Sequence, residues 1–360
     1  MQASDDLFLR IAVALAKRGQ MTCAPNPPVG CVIVRDGQII GRGYHRRAGE
    51  GHAEVEAIAD AGGKVQGATV YVSLEPCAFV GRTPACATTL VEKQVARVVV
   101  AAQDPHPKVS GAGLRILREA GIAAELRTLY AAQDLIRGFA ARIGTGRPLV
   151  RVKTASSIDG AVALANGESQ WITGPAARED VQYWRARSDA IITGVGTVIA
   201  DDPRLNVRSY PNAHQPLRVV LDRQARVPPA SRLLNDGQPT LVVHHPDATL
   251  SAWAENTGVS TLAQDPSDLA GVLAHLAHLG CNEVLVEAGP GIVGSVVQAG
   301  LWDEWVAYIA PKLLGSESRQ VAEFKINAMA NVVGARVIEQ RLCGDDLRVL
   351  LRPAAKDAAG

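Results

Sequence analysis

Apolar positions along the chain switch between a helical period and short continuous runs, the pattern of a mixed α/β protein. Leu7, Ile11, Ala14 and Leu15 recur at helical spacing behind Ser4, which reads as a cap. Val29–Val34 and Gln38–Ile40 predict strands around the turn Arg35-Asp36-Gly37. A helix opens at His52 with Val55, Ile58 and Ala59 as its apolar stripe, and Val70–Leu74 predicts a strand delivering Cys77. Thr83 and Pro84 read as the N-cap and first residue of a helix from about Pro84 to Lys93. Val95–Ala102 predicts a buried strand, and helices are expected near Gly113–Ala120 and from about Ala131 to Arg142. Together these predict a three-layer α/β sandwich on a mixed sheet.

Gly144-Thr145-Gly146-Arg147-Pro148 puts glycine and proline between a helix end and a new strand, a boundary signal that divides the chain into domains 1–146 and 147–360. The second half restarts with the strand Leu149–Thr154. Further strands are expected at Ala190–Thr193, Leu217–Leu221, Thr240–His244, Glu283–Glu287 and Trp305–Ile309. Helices fit Ala176–Arg187, Ser267–His278 and Gly291–Ala299, and Pro353–Gly360 reads as a frayed tail.

The chemistry concentrates in two short blocks, Gly51-His52-Ala53-Glu54 and Glu75-Pro76-Cys77 with Thr83-Pro84-Ala85-Cys86. One imidazole and two thiolates leave a fourth tetrahedral position open on zinc, as a catalytic site requires. Water on such an ion drops in pKa from about 16 to roughly 7. Glu54, two residues past the histidine, is placed to carry protons without binding metal. H-x-E…P-C-x-x-C marks zinc deaminases; here, however, eight residues separate Cys77 from Cys86. A satisfied histidine, two core cysteines and a surface glutamate are the bland alternative for each residue taken singly.

Charge narrows the partners. With 37 basic and 36 acidic residues the net charge is +1, which weighs against gripping a long polyanion but leaves room for a small phosphorylated molecule. No apolar run is long enough to span a bilayer, the acidic start is not a signal peptide, and six cysteines show no disulfide framework. A cytoplasmic location is expected.

Gly289-Pro290-Gly291-Ile292-Val293-Gly294-Ser295 carries G-x-G-x-x-G after a strand and at a helix start, where backbone N–H groups meet a pyrophosphate. A Rossmann setting is absent, because no acidic residue follows about twenty positions on at the end of a second strand. A phosphate loop on another α/β fold is the expectation. Trp171 and Asp201 each read singly as a core aromatic and as a cap or turn residue. Lys153, Arg185 and Arg208 are candidates to hold a phosphate.

Asn26-Pro27-Pro28-Val29-Gly30-Cys31, His52-Ala53-Glu54, Glu75-Pro76-Cys77 and Gly81-Arg82-Thr83-Pro84 with Cys86 resemble the bifunctional deaminase–reductase family of riboflavin biosynthesis. Lys153 with Ala155–Gly160, Gly167–Thr173 and Val286–Pro290 are similar to the reductase half of the same family. The resemblance implies a cytidine-deaminase-like domain followed by a dihydrofolate-reductase-like α/β domain. The first would remove the amine of 2,5-diamino-6-ribosylamino-4(3H)-pyrimidinone 5′-phosphate. The second would use NADPH to reduce the ribosyl group of 5-amino-6-(5-phosphoribosylamino)uracil to ribityl. It implies one zinc per chain on His52, Cys77 and Cys86, Glu54 as proton carrier, and Asn26, His45 and Arg82 against the substrate. Phe79 departs from the histidine that many relatives carry. In the reductase half, Ala155, Trp171, Thr197, Asp201 and Gly289 through Ser295 would contact the cofactor. Ser169, Arg185, Leu205, Arg208 and Glu287 would contact substrate, with Lys153 and Asp201 nearest the chemistry. A homodimer or homotetramer without nucleic-acid or membrane partners is expected. The alternatives are a nucleoside or RNA deaminase with an unrelated C-terminal domain, and a zinc-stabilised binding protein.

Overall fold

The computed structural model describes residues 2–79, 85–107 and 109–354. The chain forms two compact units, Met1–Gly146 and Arg147–Gly360.

The first unit runs α1 (Gln2–Ala16), β1 (Gly30–Arg35), β2 (Gln38–Tyr44), α2 (Ala53–Asp60), β3 (Thr69–Val72), α3 (Cys86–Glu92), β4 (Arg97–Val100), α4 (Ala112–Glu119), β5 (Ala123–Leu126), α5 (Tyr130–Leu135) and α6 (Arg137–Thr145). Its sheet has the order β2-β1-β3-β4-β5, antiparallel across β2-β1-β3 and parallel beyond. Alternate residues of each strand feed opposite cores. Cys31, Ile33, Val70, Val72, Val98 and Val100 pack under α2, α3 and α4. Val32, Val34, Tyr71 and Val99 pack under α1 and α5. Burial on both faces explains the continuous apolar runs of the sequence, and the result is the expected three-layer sandwich.

Local expectations failed where a second force set the helix face. In α1 the buried positions are Asp5, Leu9, Ala12, Val13 and Ala16, whereas Leu7 and Ala14 are exposed. The face turns on Asp5, whose buried carboxylate accepts from Tyr71 Oη at 2.7 Å and from both Arg97 terminal nitrogens at 2.9 Å. Ser4 lies inside this helix rather than capping it. In α2 the buried residues are Ala53, Glu54, Ala57 and Ile58, so the Val55/Ala59 side faces outward. Thr83 and Pro84 lie outside the described residues; α3 opens at Cys86 with Ala85 in the N-cap position. The single helix expected over 131–142 is two, broken at Ile136.

The second unit comprises β6 (Leu149–Ser157), β7 (Ala161–Ala163), α7 (Pro175–Arg187), β8 (Ala190–Gly194), α8 (Val195–Asp201), β9 (Leu217–Leu221), α9 (Arg232–Asn235), β10 (Thr240–His244), β11 (Val259–Ala263), α10 (Leu269–His278), β12 (Glu283–Val286), α11 (Pro290–Gln298), β13 (Glu304–Ala310), β14 (Arg319–Gln320), β15 (Ala335–Cys343) and β16 (Asp346–Pro353). Nine strands form one sheet, β11-β10-β9-β8-β12-β6-β13-β16-β15, parallel through β13 and antiparallel at β16 and β15. Helices α10 and α11 cover one face, while α7 packs Ala177, Val181 and Trp184 on the other. Pro353, expected to begin a tail, instead ends β16; residues 355–360 of that expectation lie outside the described residues. This topology brings the C-terminal ends of β6, β8 and β12 side by side, where parallel sheets place ligands.

Candidate active sites

The strand-to-loop exit of β3 and the starts of α2 and α3 converge on His52, Cys77 and Cys86. Their ligating atoms all lie within 4.8 Å of one another. His52 Nδ1 is 3.2 Å from Cys86 Sγ and 3.6 Å from Cys77 Sγ. Tetrahedral zinc with the usual Zn–N and Zn–S bonds spans an N···S edge of about 3.6 Å, so this donor set fits that ion. The Cys86 backbone N–H donates to Cys77 Sγ at 3.2 Å, which fixes one thiolate from the first turn of α3. Hydrogen bonding from Cys86, then from His52, draws the Cys77 thiol down to about 4. The same bond, with burial, pushes Cys86 far up, and the bond to Cys77 raises His52. Three donors sharing protons this closely are poised to exchange them for a dication.

Glu54 is buried in the first turn of α2. Burial, and then the charge on Cys77, raises its pKa, while His52 pulls it back. A carboxyl group so placed can both take and return a proton.

His45 connects the remaining predicted residues to this centre. Its Nδ1–H donates to the Gly51 carbonyl at 3.1 Å, so Nε2 accepts from Asn26 Nδ2 at 3.0 Å. Burial lowers its pKa and favours this neutral tautomer. Its ring meets His52 edge-on at 5.3 Å. Asn26 Nδ2 is thereby committed to His45, and its carbonyl oxygen is left to accept from a ligand. Arg82 lies outside the described residues. Phe79 is 45% exposed, with its ring 6.0 Å from that of His106.

Glu75 was missed as a structural residue. Its buried carboxylate accepts from the backbone N–H groups of Asp104, Gly111 and Leu114 at 3.0–3.3 Å. This pins the start of α4 behind the Cys77 loop. A Cβ on Gly113 would lie 2.0 Å from the Pro76 carbonyl oxygen, so only glycine permits that approach. Burial pushes neighbouring Asp104 up to about 6, and Glu75 and Cys77 add to this.

In the second unit Glu287, just past β12, gathers three cations. Arg185 Nε and Nη2 donate to its two oxygens at 2.7 and 2.9 Å. Lys153 Nζ on β6 is 3.8 Å away. Burial alone would raise the Glu287 carboxyl, but Arg185, Lys153 and Arg208 overturn that and hold it at about 2. Burial lowers Lys153, with Glu287 opposing and Arg185 assisting. Arg208 donates to Asn206 Oδ1 at 2.9 Å; burial, then Arg185 and Arg204, disfavours its charge. One carboxylate among these cations leaves a positive excess suited to a phosphate.

Ala155 lies on β6, and Leu205 is buried in left-handed backbone at φ +49°. That conformation in a branched-chain residue is strained unless its surroundings hold it. Trp171 is 64% exposed, which overturns the core reading; Arg178 lies 4.4 Å over its ring and Lys312 Nζ donates to its carbonyl at 2.8 Å. Ser169 shares that loop and has no tie to the Glu287 cluster among the described residues. Asp201 ends α8 exposed and, among the described residues, forms no ion pair with Lys153, Arg185 or Arg208.

The glycine loop divides in two. Gly289 is the N-cap of α11 and Pro290 its first residue, so the helix opens with its N–H groups outward. The Cβ position of Gly289 is 3.9 Å from Thr197 Oγ1, a small cradle with a hydroxyl on its wall. The residues present therefore fit a dinucleotide's phosphate. Gly294 serves another purpose: a Cβ there would meet the Glu323 carbonyl oxygen at 2.0 Å. Its glycine answers to packing, not to a pyrophosphate.

Comparison with known proteins agrees with both sites. Residues 2–102 match the family described as "Cytidine and deoxycytidylate deaminase zinc-binding region", and residues 148–343 match "RibD C-terminal domain". The chain is 46% identical over 330 residues to the riboflavin biosynthesis protein RibD of Escherichia coli, covering 88% of this chain and 90% of that one. It is 40% identical over 365 residues to the Haemophilus influenzae RibD, covering 98% of each. Among solved structures, Acinetobacter baumannii RibD (form 1) superposes with a TM-score of 0.93 at 44% identity, covering 99% of this chain and 100% of that chain. The Thermotoga maritima diaminohydroxyphosphoribosylaminopyrimidine deaminase/5-amino-6-(5-phosphoribosylamino)uracil reductase gives 0.90 at 30% identity, covering 98% and 99%. Because likeness runs through both halves, a nucleoside or RNA deaminase with an unrelated C-terminal domain is not favoured. A cytidine-deaminase-like domain followed by a dihydrofolate-reductase-like domain is the architecture, and the chain belongs to the RibD family of bifunctional deaminase–reductases of riboflavin biosynthesis.

Proposed function

We propose that each chain binds one zinc ion through His52 Nδ1, Cys77 Sγ and Cys86 Sγ, and that Glu54 is the proton carrier of the deamination. The observation that carries this reading is the convergence of those three donors beside a buried carboxyl group whose pKa is raised. Zinc at such a site supplies a Lewis acid that brings water into the titration range of neutral solution. Glu54 takes a proton on its carboxylate and returns it to the departing amine, a role for which a raised pKa is the right adjustment. Asn26, with its amide nitrogen held by His45, offers its oxygen to a pyrimidine N–H. Arg82 is assigned to the substrate on family likeness alone. The substrate is 2,5-diamino-6-ribosylamino-4(3H)-pyrimidinone 5′-phosphate.

In the second unit the reductant is NADPH, which supplies hydride when bound. Its contacts are Ala155, Trp171, Thr197, Asp201 and the α11 opening from Gly289 to Ser295. Arg185, Arg208, Ser169, Leu205 and Glu287 hold the phosphorylated pyrimidine. Lys153 Nζ, kept in place by Glu287 while burial disfavours its charge, gives up a proton to the ribose oxygen as the sugar opens. The enzyme works in the cytoplasm as a homodimer or homotetramer. No helix among the described residues is long and apolar enough to cross a membrane.

The test is product analysis on the purified chain with measured zinc content. Ammonia release from the diaminopyrimidinone ribosyl-phosphate, followed by NADPH oxidation that depends on the deaminated product, is the expected sequence. Ammonia release from cytidine or an RNA hairpin in its place would refute the assignment.

A further inference from the structure

Dinucleotide loops ordinarily place an acidic residue against a ribose about twenty positions after their glycines. The sequence has none there, yet the fold brings a carboxylate to the same loop from elsewhere. Glu323 lies just beyond β14 on an extended segment that is firmly anchored. Val321 N donates to the Gly160 carbonyl at 2.9 Å, and Glu323 N to the Pro290 carbonyl at 3.0 Å. Ala322 and Phe324 pack against the core that includes Val293 and Val296 of α11. Between these two inward residues Glu323 turns outward and is exposed. Its Oε2 comes 3.8 Å from the Cβ position of Gly291, in the first turn of α11. Among the described residues its side chain makes no hydrogen bond or ion pair, so it is neither a helix cap nor half of a salt bridge.

A carboxylate at a helix N-terminus weakens that helix for phosphate by like-charge repulsion, unless the ligand offers it something in return. Each ribose of a dinucleotide is esterified to the pyrophosphate through its C5′ oxygen, so its remaining hydroxyls lie beside the phosphates, and they are donors. We propose that Glu323 accepts a hydrogen bond from a ribose hydroxyl of the nicotinamide dinucleotide and orients it on the α11 opening. The assignment rests on the dinucleotide reading of that loop.

The test is calorimetric binding of NADPH and NADH to the full-length protein and to its Glu323→Ala and Glu323→Gln variants. Melting temperature is recorded without coenzyme. Because the carboxylate has no protein partner, both variants should melt within a degree or so of wild type. Glu323→Ala should weaken coenzyme binding by roughly tenfold or more, the worth of one hydrogen bond to a charged group, and Glu323→Gln by less. Equal loss for both coenzymes places the carboxylate on the nicotinamide ribose. Loss for NADH with gain for NADPH would mean that the carboxylate repels the 2′-phosphate of the proposed coenzyme, and overturns the proposal. Unchanged or tighter binding of both coenzymes, or weakening that tracks a lower melting temperature, overturns the proposal. If wild type binds neither coenzyme, the cofactor reading falls and this inference with it.

Discussion

Replacing Glu287 by Gln removes the one negative charge in a buried group of cations while keeping the side chain's size. The displacement of its pKa from 4.5 to about 2 corresponds to about 3 kcal/mol of folding free energy. Breaking a buried pair on one side costs a similar amount, about 3–5 kcal/mol, because Arg185 stays charged and buried without its fork partner. Little discount for solvent applies, since the Glu287 and Arg185 side chains are 8% and 13% exposed. For a unit of this size the loss corresponds to a fall of about 6–12 °C in the reductase-domain transition. Scanning calorimetry of wild type and Glu287→Gln measures it, with zinc content and deaminase rate as controls that should hold. The pH dependence follows from the sign of the shift. A depressed carboxyl stabilises fully above its unfolded value of 4.5 and loses that contribution as pH falls toward 2. Wild type should therefore lose its advantage over the variant progressively from about pH 5 down to about pH 2. A variant that melts within about 1 °C of wild type at pH 7, or a difference that does not narrow in acid, would refute the electrostatic account of this cluster.

Three further outcomes test other links. Gly294→Ala must displace the Glu323 backbone, since its Cβ would lie 2.0 Å from a carbonyl oxygen, and should cost about 1–3 kcal/mol in urea unfolding. Gly291→Ala, with 3.8 Å of room, should cost less than about 1 kcal/mol, and equal costs would contradict the packing assigned to Gly294. Asn26→Ala frees His45 Nε2 and removes the oxygen offered to the pyrimidine, so deaminase kcat/KM should fall about 10-fold or more with zinc retained; an unchanged value would remove Asn26 from the site. Asp5→Asn strips the charge that Arg97 holds, and that carboxyl sits at about 2 because of Arg97, against the opposing effect of burial. Chemical denaturation should show a loss of about 2 kcal/mol or more, and no loss would return α1 to an ordinary apolar helix.

How much of this was legible depended on what decides each residue. The central strands β8, β9, β10 and β12 read correctly because parallel strands covered on both faces are continuous apolar runs. Strand β15 did not, since its residues from Ala335 to Leu342 are exposed and follow no period, and only pairing with β16 makes it a strand. The short β5, β7 and β11, and helix α8, likewise carry too few patterned positions. The α1 face was misjudged because an aspartate, not a leucine, is the buried anchor at its start. At the candidate metal centre the residue types and order were enough to single out His52, Cys77 and Cys86, which the fold brings together, for few other demands call for histidine, glutamate and two cysteines in such blocks. The supporting residues were less visible. Glu75 binds backbone groups 29–39 positions away, and Glu323 reaches a glycine 32 positions earlier. Neither pairing has a local spacing to read. Trp171 was ambiguous because a lone aromatic in a polar loop serves a core or a ligand equally well until its exposure is known.

In the proposed deaminase mechanism Glu54 moves protons beside a zinc ion held by His52, Cys77 and Cys86. The decisive assay is ammonia release by the Glu54→Gln protein, with zinc quantified in the same sample. One zinc per chain should remain while deamination falls by about 10²-fold or more, the usual contribution of a general acid–base group. Wild-type turnover by a zinc-loaded Glu54→Gln protein, or full activity in wild-type protein stripped of metal, would contradict it.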